Sequence, residues 1–234
     1  NHHFAHPKKW ICADIECDAG CGIVPFEYKD KNFVNSLQWA IGLELFLLIK
    51  DPWRIYLTTD HPNGAAFTAY PKLIKLLMDR SFRNNEFAKI NKHAQKSSIL
   101  SNLKREYNLY DIAILTRAGP AKVLGLKNTG HLGVGANANI TVYSEIEDKE
   151  KMFENPYMVI KDGEIVVKNG KIQKVLNGKF YTAKTDYDKS IEKEINSYFE
   201  KYMGRKMQNF EIQNQELWDH GIETENIQCD RNDY

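Results

Sequence analysis

The chain has 234 residues, of which 42% are hydrophobic, and its 32 basic and 31 acidic side chains leave a net charge of +1. This length can bury one large core or two small ones. The balanced charge gives no electrostatic case for nucleic acid or for an anionic membrane surface as a partner. No apolar run approaches the roughly 18 residues of a membrane span, and the start lacks the apolar core of a signal peptide. We therefore expect a cytoplasmic protein without a membrane span.

The first predicted element is a strand that begins near Trp10 and is followed by a glycine-rich loop, within residues 10–28. The loop contains Cys21, which we take as a candidate substrate contact. Its glycines would let backbone close on a substrate, or would simply form a turn that feeds the next helix. The spacing of Cys12, Cys17 and Cys21 fits neither a zinc pair nor a ferredoxin pattern, so we expect reduced thiols.

A helix, a strand and a second helix follow in the order that is typical of a parallel sheet or barrel. Apolar residues spaced by three and four predict a helix that starts with Asn32 as N-cap and ends before Pro52. Residues 54–59 are rich in β-branched and aromatic side chains and predict a buried strand, and 70–78 predict the next helix. Asp60 would then stand at the carboxyl end of the strand, where such folds place their sites.

Asp60 is the main candidate for a catalytic residue, although an Asx turn or an N-cap accounts for an aspartate here equally well. His61 and Asn63 add polar groups to the same strand end. Gly64 allows close approach of the backbone to a ligand. We therefore predict substrate contacts at His61, Asn63 and Gly64.

Further helices are predicted at 85–104, with a lysine-rich polar face that we expect to be solvated, and at 109–116. A short helix should then end at Gly125. His131 follows in a glycine-rich turn, where a histidine is more often a hydrogen-bonded structural residue than a ligand.

The chain changes character after residue 139, where short strands are joined by the hairpin turns Asp162-Gly163 and Asn169-Gly170. This pattern predicts a β-sandwich or meander at 139–183, with strands at 140–143, 157–160, 164–167 and 171–175. An amphipathic pattern predicts a helix at 188–202, within an extension that ends at 218. The polar tail at 219–234 should be poorly ordered without a partner.

Several of these segments resemble the amidohydrolase superfamily. The motif Thr-Thr-Asp-His-Pro-Asn-Gly at 58–64 is similar to the end of that family's last barrel strand, where an aspartate binds metal and shuttles a proton. Segments 118–126 and 130–143 resemble the family's return from the barrel to its small β-domain. The likeness is most specific to the A subunit of formylmethanofuran dehydrogenase, and it is carried by 17–26, 38–45, 58–64 and 67–71. One departure is that Asn137 and Asn139 stand where the family usually has acids, and asparagine supports the same turns.

The resemblance implies an α/β fold: the last strands and helices of a (β/α)8 barrel at 1–138, then the β-sandwich unit and a C-terminal helix. It implies that the intact subunit joins formate to methanofuran, with partner subunits that make formate from carbon dioxide. Two zinc ions would polarise the carboxylate, and Asp60 would be both a metal ligand and the acid–base residue. The other ligands would stand on earlier strands, so we expect a carboxyl-terminal part of a longer protein.

Two other interpretations stay open. One metal ligand cannot build a two-metal site, so the chain by itself would be a non-catalytic packing module. His2, His3 and His6 would add ligands, or would belong to a flexible loop. Alternatively, the chain is a relative of hydantoinases or dihydroorotases, which share the Asp-His pair, although the stretches 38–42 and 67–71 speak against them.

Overall fold

The computed structural model describes residues 2–6, 9–12, 28–59, 61, 65–210, 218 and 221–228 of the chain. The chain divides into two compact units. We call Pro25–Leu176 the central unit, and Asn1–Val24 together with Asn177–Tyr234 the terminal unit. The predicted boundaries at 138, 183 and 218 do not coincide with this division, and they stay predictions.

The terminal unit begins with a hairpin in which β1 (His2–His6) pairs antiparallel with β2 (Lys9–Cys12), Phe4 lying opposite Trp10. The start of the chain is therefore a strand, and not the flexible loop that was one of the two alternatives for its histidines. A barrel strand would pair in parallel, so the described pairing of β2 does not fit the predicted barrel strand. The rest of that prediction falls on residues 13–27, which lie outside the described part of the chain.

The first helix of the central unit, α1 (Phe33–Leu48), confirms the sequence prediction. The Asn32 side chain accepts a hydrogen bond from the Asn35 N–H at 3.1 Å and so caps the helix. The helix ends before Pro52, as expected. One face of α1 is buried, and it is formed by Ser36, Ala40, Leu43 and Leu47.

Three further helices are α2 (Tyr70–Met78), α3 (Arg80–Lys89) and α4 (Lys92–Lys96). Helix α2 has the predicted bounds. The single helix predicted at 85–104 was wrong, because Asn91 interrupts it: its side chain accepts hydrogen bonds from the His93 and Ala94 N–H groups and starts α4 as a new helix. A short 3₁₀ turn follows at Leu100–Asn102.

The next helical segment consists of α5 (Leu109–Ala113), a π-helical turn (Ile114–Ala118) and α6 (Gly119–Val123). Asn108 and Asp111 form a reciprocal capping box at its start. Gly125 comes just after this segment and has a φ of 70°. Glycine in this left-handed conformation commonly ends a helix, as expected. The two predicted helices of this region are therefore parts of one segment.

The hydrophobic core of the central unit lies among these helices. Leu77, Leu100 and Leu115 are at most 1% exposed. Ile55 and Leu57 pack against this core from the segment that follows α1. Within the described residues, none of the helices has the length and apolar character that a membrane crossing needs.

The rest of the central unit is an antiparallel sheet in the order β3 (Ile140–Val142), β4 (Met158–Lys161), β5 (Glu164–Lys168) and β6 (Lys171–Ile172). Helix α7 (Lys149–Glu154) lies between β3 and β4 in the chain. Both predicted hairpin turns are confirmed, with positive φ at Asp162-Gly163 and Asn169-Gly170. The described residues of this unit give one sheet layer, whereas a sandwich needs two, so the meander alternative is the one observed.

The terminal unit continues with β7 (Lys179–Lys184), α8 (Ile191–Tyr198) and β8 (Glu223–Gln228). Helix α8 runs on as a π-helical turn to Met203 and agrees with the predicted helix at 188–202. Strands β7 and β8 pair in parallel, Phe180 lying opposite Thr224. The tail, expected to be poorly ordered without a partner, thus has a partner within the chain at Glu223–Gln228.

Candidate functional site

The segment from Asp51 to Thr59 carries the chain from α1 to the predicted site. The Asp51 side chain accepts a hydrogen bond from the Trp53 N–H at 3.1 Å and caps a 3₁₀ turn at Pro52–Arg54. Ile55 is extended, with φ −144° and ψ 143°. The strand predicted at 54–59 is therefore wrong in its first residue, and extended backbone is confirmed at Ile55. No strand pairs with 55–59, which we call the extended segment, in the part of the chain that the structure describes.

A helix instead of a neighbouring strand holds this segment. The Leu57 N–H donates to the Leu115 carbonyl at 3.4 Å, in the π-helical turn. Ile55 and Leu57 pack on the core, and Thr59 is only 6% exposed. The residue that immediately precedes Asp60 is therefore buried.

The predicted site residues divide into one that the structure describes and four that lie outside the described residues, namely Cys21, Asp60, Asn63 and Gly64. His61 is exposed, and its ring stacks on Phe67 with centroids 3.8 Å apart and planes 21° apart. The Ala65 N–H donates to the Thr59 carbonyl at 2.8 Å. This hydrogen bond brings together the two residues that flank positions 60–64.

A cavity of about 520 Å³ has Phe67 in its wall, and the same ring stacks on His61. Two of its rings, Tyr143 and Phe153, meet edge to face with centroids 5.0 Å apart. The volume is within the range of small-molecule sites. Its lining residues are Leu57, Phe67, Thr68, Tyr70, Pro71, Ile74, Thr116, Arg117, Tyr143, Phe153 and Glu154.

An ion-pair group joins α2 and α7, which are two of the helical elements that line this cavity. Lys75 of α2 lies 2.8 Å from Asp148 and 3.8 Å from Glu150, at the start of α7. The hydrogen bond with Asp148 raises the pKa of Lys75, and the same bond lowers the pKa of Asp148. Lys75 also lies 4.6 Å from the ring centre of Phe82. The spacing between α2 and α7 is thus set by charge as well as by packing.

The described residues do not build a metal centre. Nowhere in the described part of the chain do three or more His, Cys, Asp or Glu side chains come together in a way that could hold a metal ion. Zinc sites normally need three or four protein ligands. Asp60, the one ligand that the resemblance assigns to this chain, is outside the described residues.

Two polar residues near the sheet have structural roles, as predicted. The Gly133 N–H donates to Nδ1 of His131 at 3.1 Å, so Nε2 carries the proton and donates to the Lys127 carbonyl at 2.9 Å. Both ring nitrogens of His131 are therefore used within its turn. The Asn139 side chain accepts a hydrogen bond from the Asp162 N–H at 2.8 Å. A carboxylate would accept the same bond, which explains why asparagine can replace the usual acid.

Sequence reasoning missed two features of this region. Arg83 is completely buried and donates to the carbonyls of Leu76 at 2.8 Å and Arg105 at 3.0 Å, and burial lowers its pKa. No local pattern marks such an arginine. The second is a close contact between Tyr56 and Gly119. The one sign of this contact in the sequence is a glycine followed by proline inside a helical stretch.

Comparison with known proteins places these observations in a family. Residues 1–167 match the model of the amidohydrolase family. The chain is 42% identical over 208 residues to the A subunit of the formyltransferase/hydrolase complex Fhc from Methylorubrum extorquens, covering 89% of this chain and 38% of the relative. It is 40% identical over 222 residues to protein FwdA from Methanocaldococcus jannaschii, covering 90% of this chain and 39% of the relative.

A solved structure shows the same relationship in three dimensions. It is the crystal structure of the formyltransferase/hydrolase complex FhcABCD from Methylorubrum extorquens in complex with methylofuran. The match has a TM-score of 0.76 at 40% identity and covers 88% of this chain and 38% of the matched chain. The chain therefore spans about two fifths of the length of the relatives it matches. These findings confirm the resemblance that the sequence motifs indicated.

Proposed function

We propose, since the chain belongs to the amidohydrolase family, that it is part of a subunit that condenses formate with the amine of methanofuran within a formylmethanofuran dehydrogenase complex. The similarity to the Fhc relative and to FwdA supports this assignment over a hydantoinase or dihydroorotase. The solved relative is a complex of several subunits with bound methylofuran, which supports a furan-bearing amine as substrate and other subunits as partners. A cytoplasmic location stays a prediction.

The reaction is amide hydrolysis run backwards. Formate and the protonated amine combine to an N-formyl amide and one water molecule, so a C–N bond forms and one C–O bond of formate breaks. The amine nitrogen must lose protons, and the departing oxygen must gain them. A positioned carboxylate that accepts a proton from the amine nitrogen and donates it to the departing oxygen would serve both proton transfers. We assign this role to Asp60.

The observation that carries the assignment is the fixed end of the extended segment beside the cavity. Thr59 is buried, and its carbonyl is held by Ala65 across the loop. Asp60 follows directly in the chain, and His61 stacks on Phe67 at the cavity wall. In barrel enzymes the reacting groups stand at the carboxyl ends of strands; here the segment that leads to Asp60 is held by a helix in the described part of the chain. His61, Asn63, Gly64 and Cys21 are proposed to contact the substrate around this point.

Zinc belongs to the same proposal, although the described residues alone do not fit a metal centre. In the complete protein, Asp60 would supply one ligand of a binuclear zinc site, and residues on earlier strands would supply the rest. The test is the metal content of this chain and of the complete subunit. We expect no bound metal in this chain and about two zinc ions in the complete subunit. Near-stoichiometric zinc in this chain alone would contradict the proposal, because the chain would then build a different site.

Asp60→Asn in the complete subunit, assembled with its partners, tests the catalytic role. The amide cannot accept a proton, so we expect the rate of formylmethanofuran formation to fall by about 10³-fold. The thermal midpoint should stay close to that of the wild type. His61→Ala is the matched control, because it removes the neighbouring ring and leaves the carboxylate; we expect a loss of about tenfold or less. Wild-type turnover in Asp60→Asn would refute the assignment.

A further inference from the structure

One face of the helical segment that contains the π-helical turn lies along the extended segment that leads to Asp60. Leu115, Gly119 and Lys122 are spaced by four and three residues, so they share this face. The Leu115 carbonyl accepts the backbone hydrogen bond described above, and Lys122 Nζ lies 5.4 Å from an indole ring centre. The partner of Leu115 is Leu57, that of Gly119 is Tyr56, and that of Lys122 is Trp53.

The central contact of the three leaves no room for a side chain at Gly119. A Cβ atom there would lie 2.7 Å from Cε1 of Tyr56 and 2.9 Å from the Ile114 carbonyl oxygen. Gly119 has an ordinary helical φ of −62°, so space and not backbone conformation requires the glycine. Glycine inside a helix costs about 1 kcal/mol relative to alanine. The contact with the Tyr56 ring gives a physical reason for glycine at this position.

The Tyr56 ring is fixed at its other end as well. Its hydroxyl donates to the Trp53 carbonyl at 2.7 Å. The ring is thus held between the 3₁₀ turn on one side and the backbone of Gly119 on the other. Asp60 comes four residues after Tyr56 in the chain, so the ring holds part of the segment that leads to it.

The π-helical turn belongs to the same arrangement. The Gly119 N–H donates to the Ile114 carbonyl, five residues back. Such a turn contains one residue more than an α-helical turn and is frequent at functional sites. Here it brings Gly119 against Tyr56, and its residues Thr116 and Arg117 line the cavity. One turn therefore touches both the extended segment and the cavity.

We propose that Gly119 is a positioning residue for the reaction at Asp60, acting through the ring of Tyr56. The inference rests on the proposed function. Gly119 acts through its neighbours: it sets how close residues 55–59 lie to the helix, and Asp60 follows these residues directly in the chain. A displacement of about 1 Å at a reacting group can lower a rate by about 10²-fold.

Gly119→Ala in the complete subunit, assembled with its partners, tests this proposal. We expect kcat for formylation to fall by about 10- to 100-fold while KM for the amine changes by less than about threefold. Adding Tyr56→Leu to Gly119→Ala should recover part of kcat, because the ring contacts disappear while the contact with Ile114 remains. Gly42→Ala on α1 is the matched control: no atom lies within 4 Å of a Cβ there, so kcat should be unchanged.

Measuring kcat together with the thermal midpoint separates a positioning role of Gly119 from a role in stability alone. A purely structural role would lower the thermal midpoint and the yield but leave kcat per assembled complex at the wild-type value, and that result would overturn the proposal. If Gly119→Ala does not assemble, Tyr56→Leu alone decides: kcat must fall while the thermal midpoint is kept, and an unchanged kcat overturns the proposal. An inactive Asp60→Asn beside a fully active Gly119→Ala would reject the positioning role only, whereas an active Asp60→Asn would reject the proposed function.

Discussion

The helices and the four-stranded sheet of the central unit place their side chains in different surroundings. In the helical part, Ala40, Leu77, Leu100 and Leu115 are at most 1% exposed. None of the strand residues of β3 to β6 is buried, and Ile172 is 74% exposed. The helices are thus stabilised mainly by burial of apolar surface, while the strands depend on hairpin turns and on antiparallel pairing with their neighbours.

This difference means that the same kind of substitution should have different effects in the two regions. In the helical part, the cost of a change should follow burial and the hydrogen bonds of buried groups. In the sheet, it should follow backbone conformation at the turns. Three sets of variants compare the two regions, and the largest expected effect lies in the helical core.

Arg83→Leu should give the largest loss of stability. The guanidinium of Arg83 donates to the carbonyls of Leu76, Leu103 and Arg105. Leucine would leave these acceptors without a donor, each at a cost of about 1 kcal/mol or more, so we expect the free energy of unfolding to fall by about 3 kcal/mol. Denaturant unfolding followed by circular dichroism measures the change.

The matched control is Arg54→Leu. The Arg54 side chain is 80% exposed and makes a surface ion pair with Asp51 at 3.3 Å. Exposed pairs contribute little, so we expect a change of less than about 0.5 kcal/mol. Equal losses in the two variants would show that burial does not control stability in the helical part.

Glycine-to-alanine changes should have opposite signs in the two regions. Gly163 has a φ of 82° in the turn between β4 and β5, and a left-handed conformation costs a non-glycine residue about 1–2 kcal/mol. Gly42 is inside α1 with no atom within 4 Å of a Cβ, and alanine there should stabilise by up to about 1 kcal/mol. Thermal unfolding of both variants gives the comparison, and a common sign would contradict it.

The same distinction explains which parts of the structure could be predicted from sequence. Asn32 and the two glycine-containing turns act within a few residues, so the start of α1 and the hairpins were predicted correctly. Asn91 was missed, because apolar periodicity continues across it while its side chain caps a new helix. At 55–59 local composition predicts extended backbone, but a strand also needs a partner, and the described partner is a helix.

The candidate site follows the same rule. The motif at 58–64 is local and could be found by resemblance, whereas the walls of the cavity come from segments far apart in the chain. Tyr143 and Phe153 meet Leu57 and Tyr70 only after folding, and no spacing in the sequence connects them. The contact of Tyr56 with Gly119 is equally non-local, and glycine in a helical stretch was its one visible sign.

The smallest predicted effect concerns the link between α2 and α7, which joins the helical part to the sheet. Asp148 pairs with Lys75 and also caps α7 by accepting from the Glu150 N–H at 3.2 Å. Asp148→Asn keeps a good N-cap residue and removes only the charge. Because this carboxylate is partly exposed, we expect a loss smaller than that of Gly163→Ala, and smaller still in high salt.

The pH dependence of this effect identifies its cause. The pKa of Asp148 is lowered by the hydrogen bond from Lys75, so the stabilisation is present above the ordinary carboxyl pKa of about 3.9 and is lost as pH falls through the lower folded value. The pKa of Lys75 is raised, so its contribution is full below about pH 10.4 and is lost as pH rises through the higher folded value. The thermal midpoints of wild type and Asp148→Asn should therefore differ near neutral pH and converge towards both extremes. A difference that stays constant down to about pH 2 would show that the carboxylate acts through its cap and not through its charge.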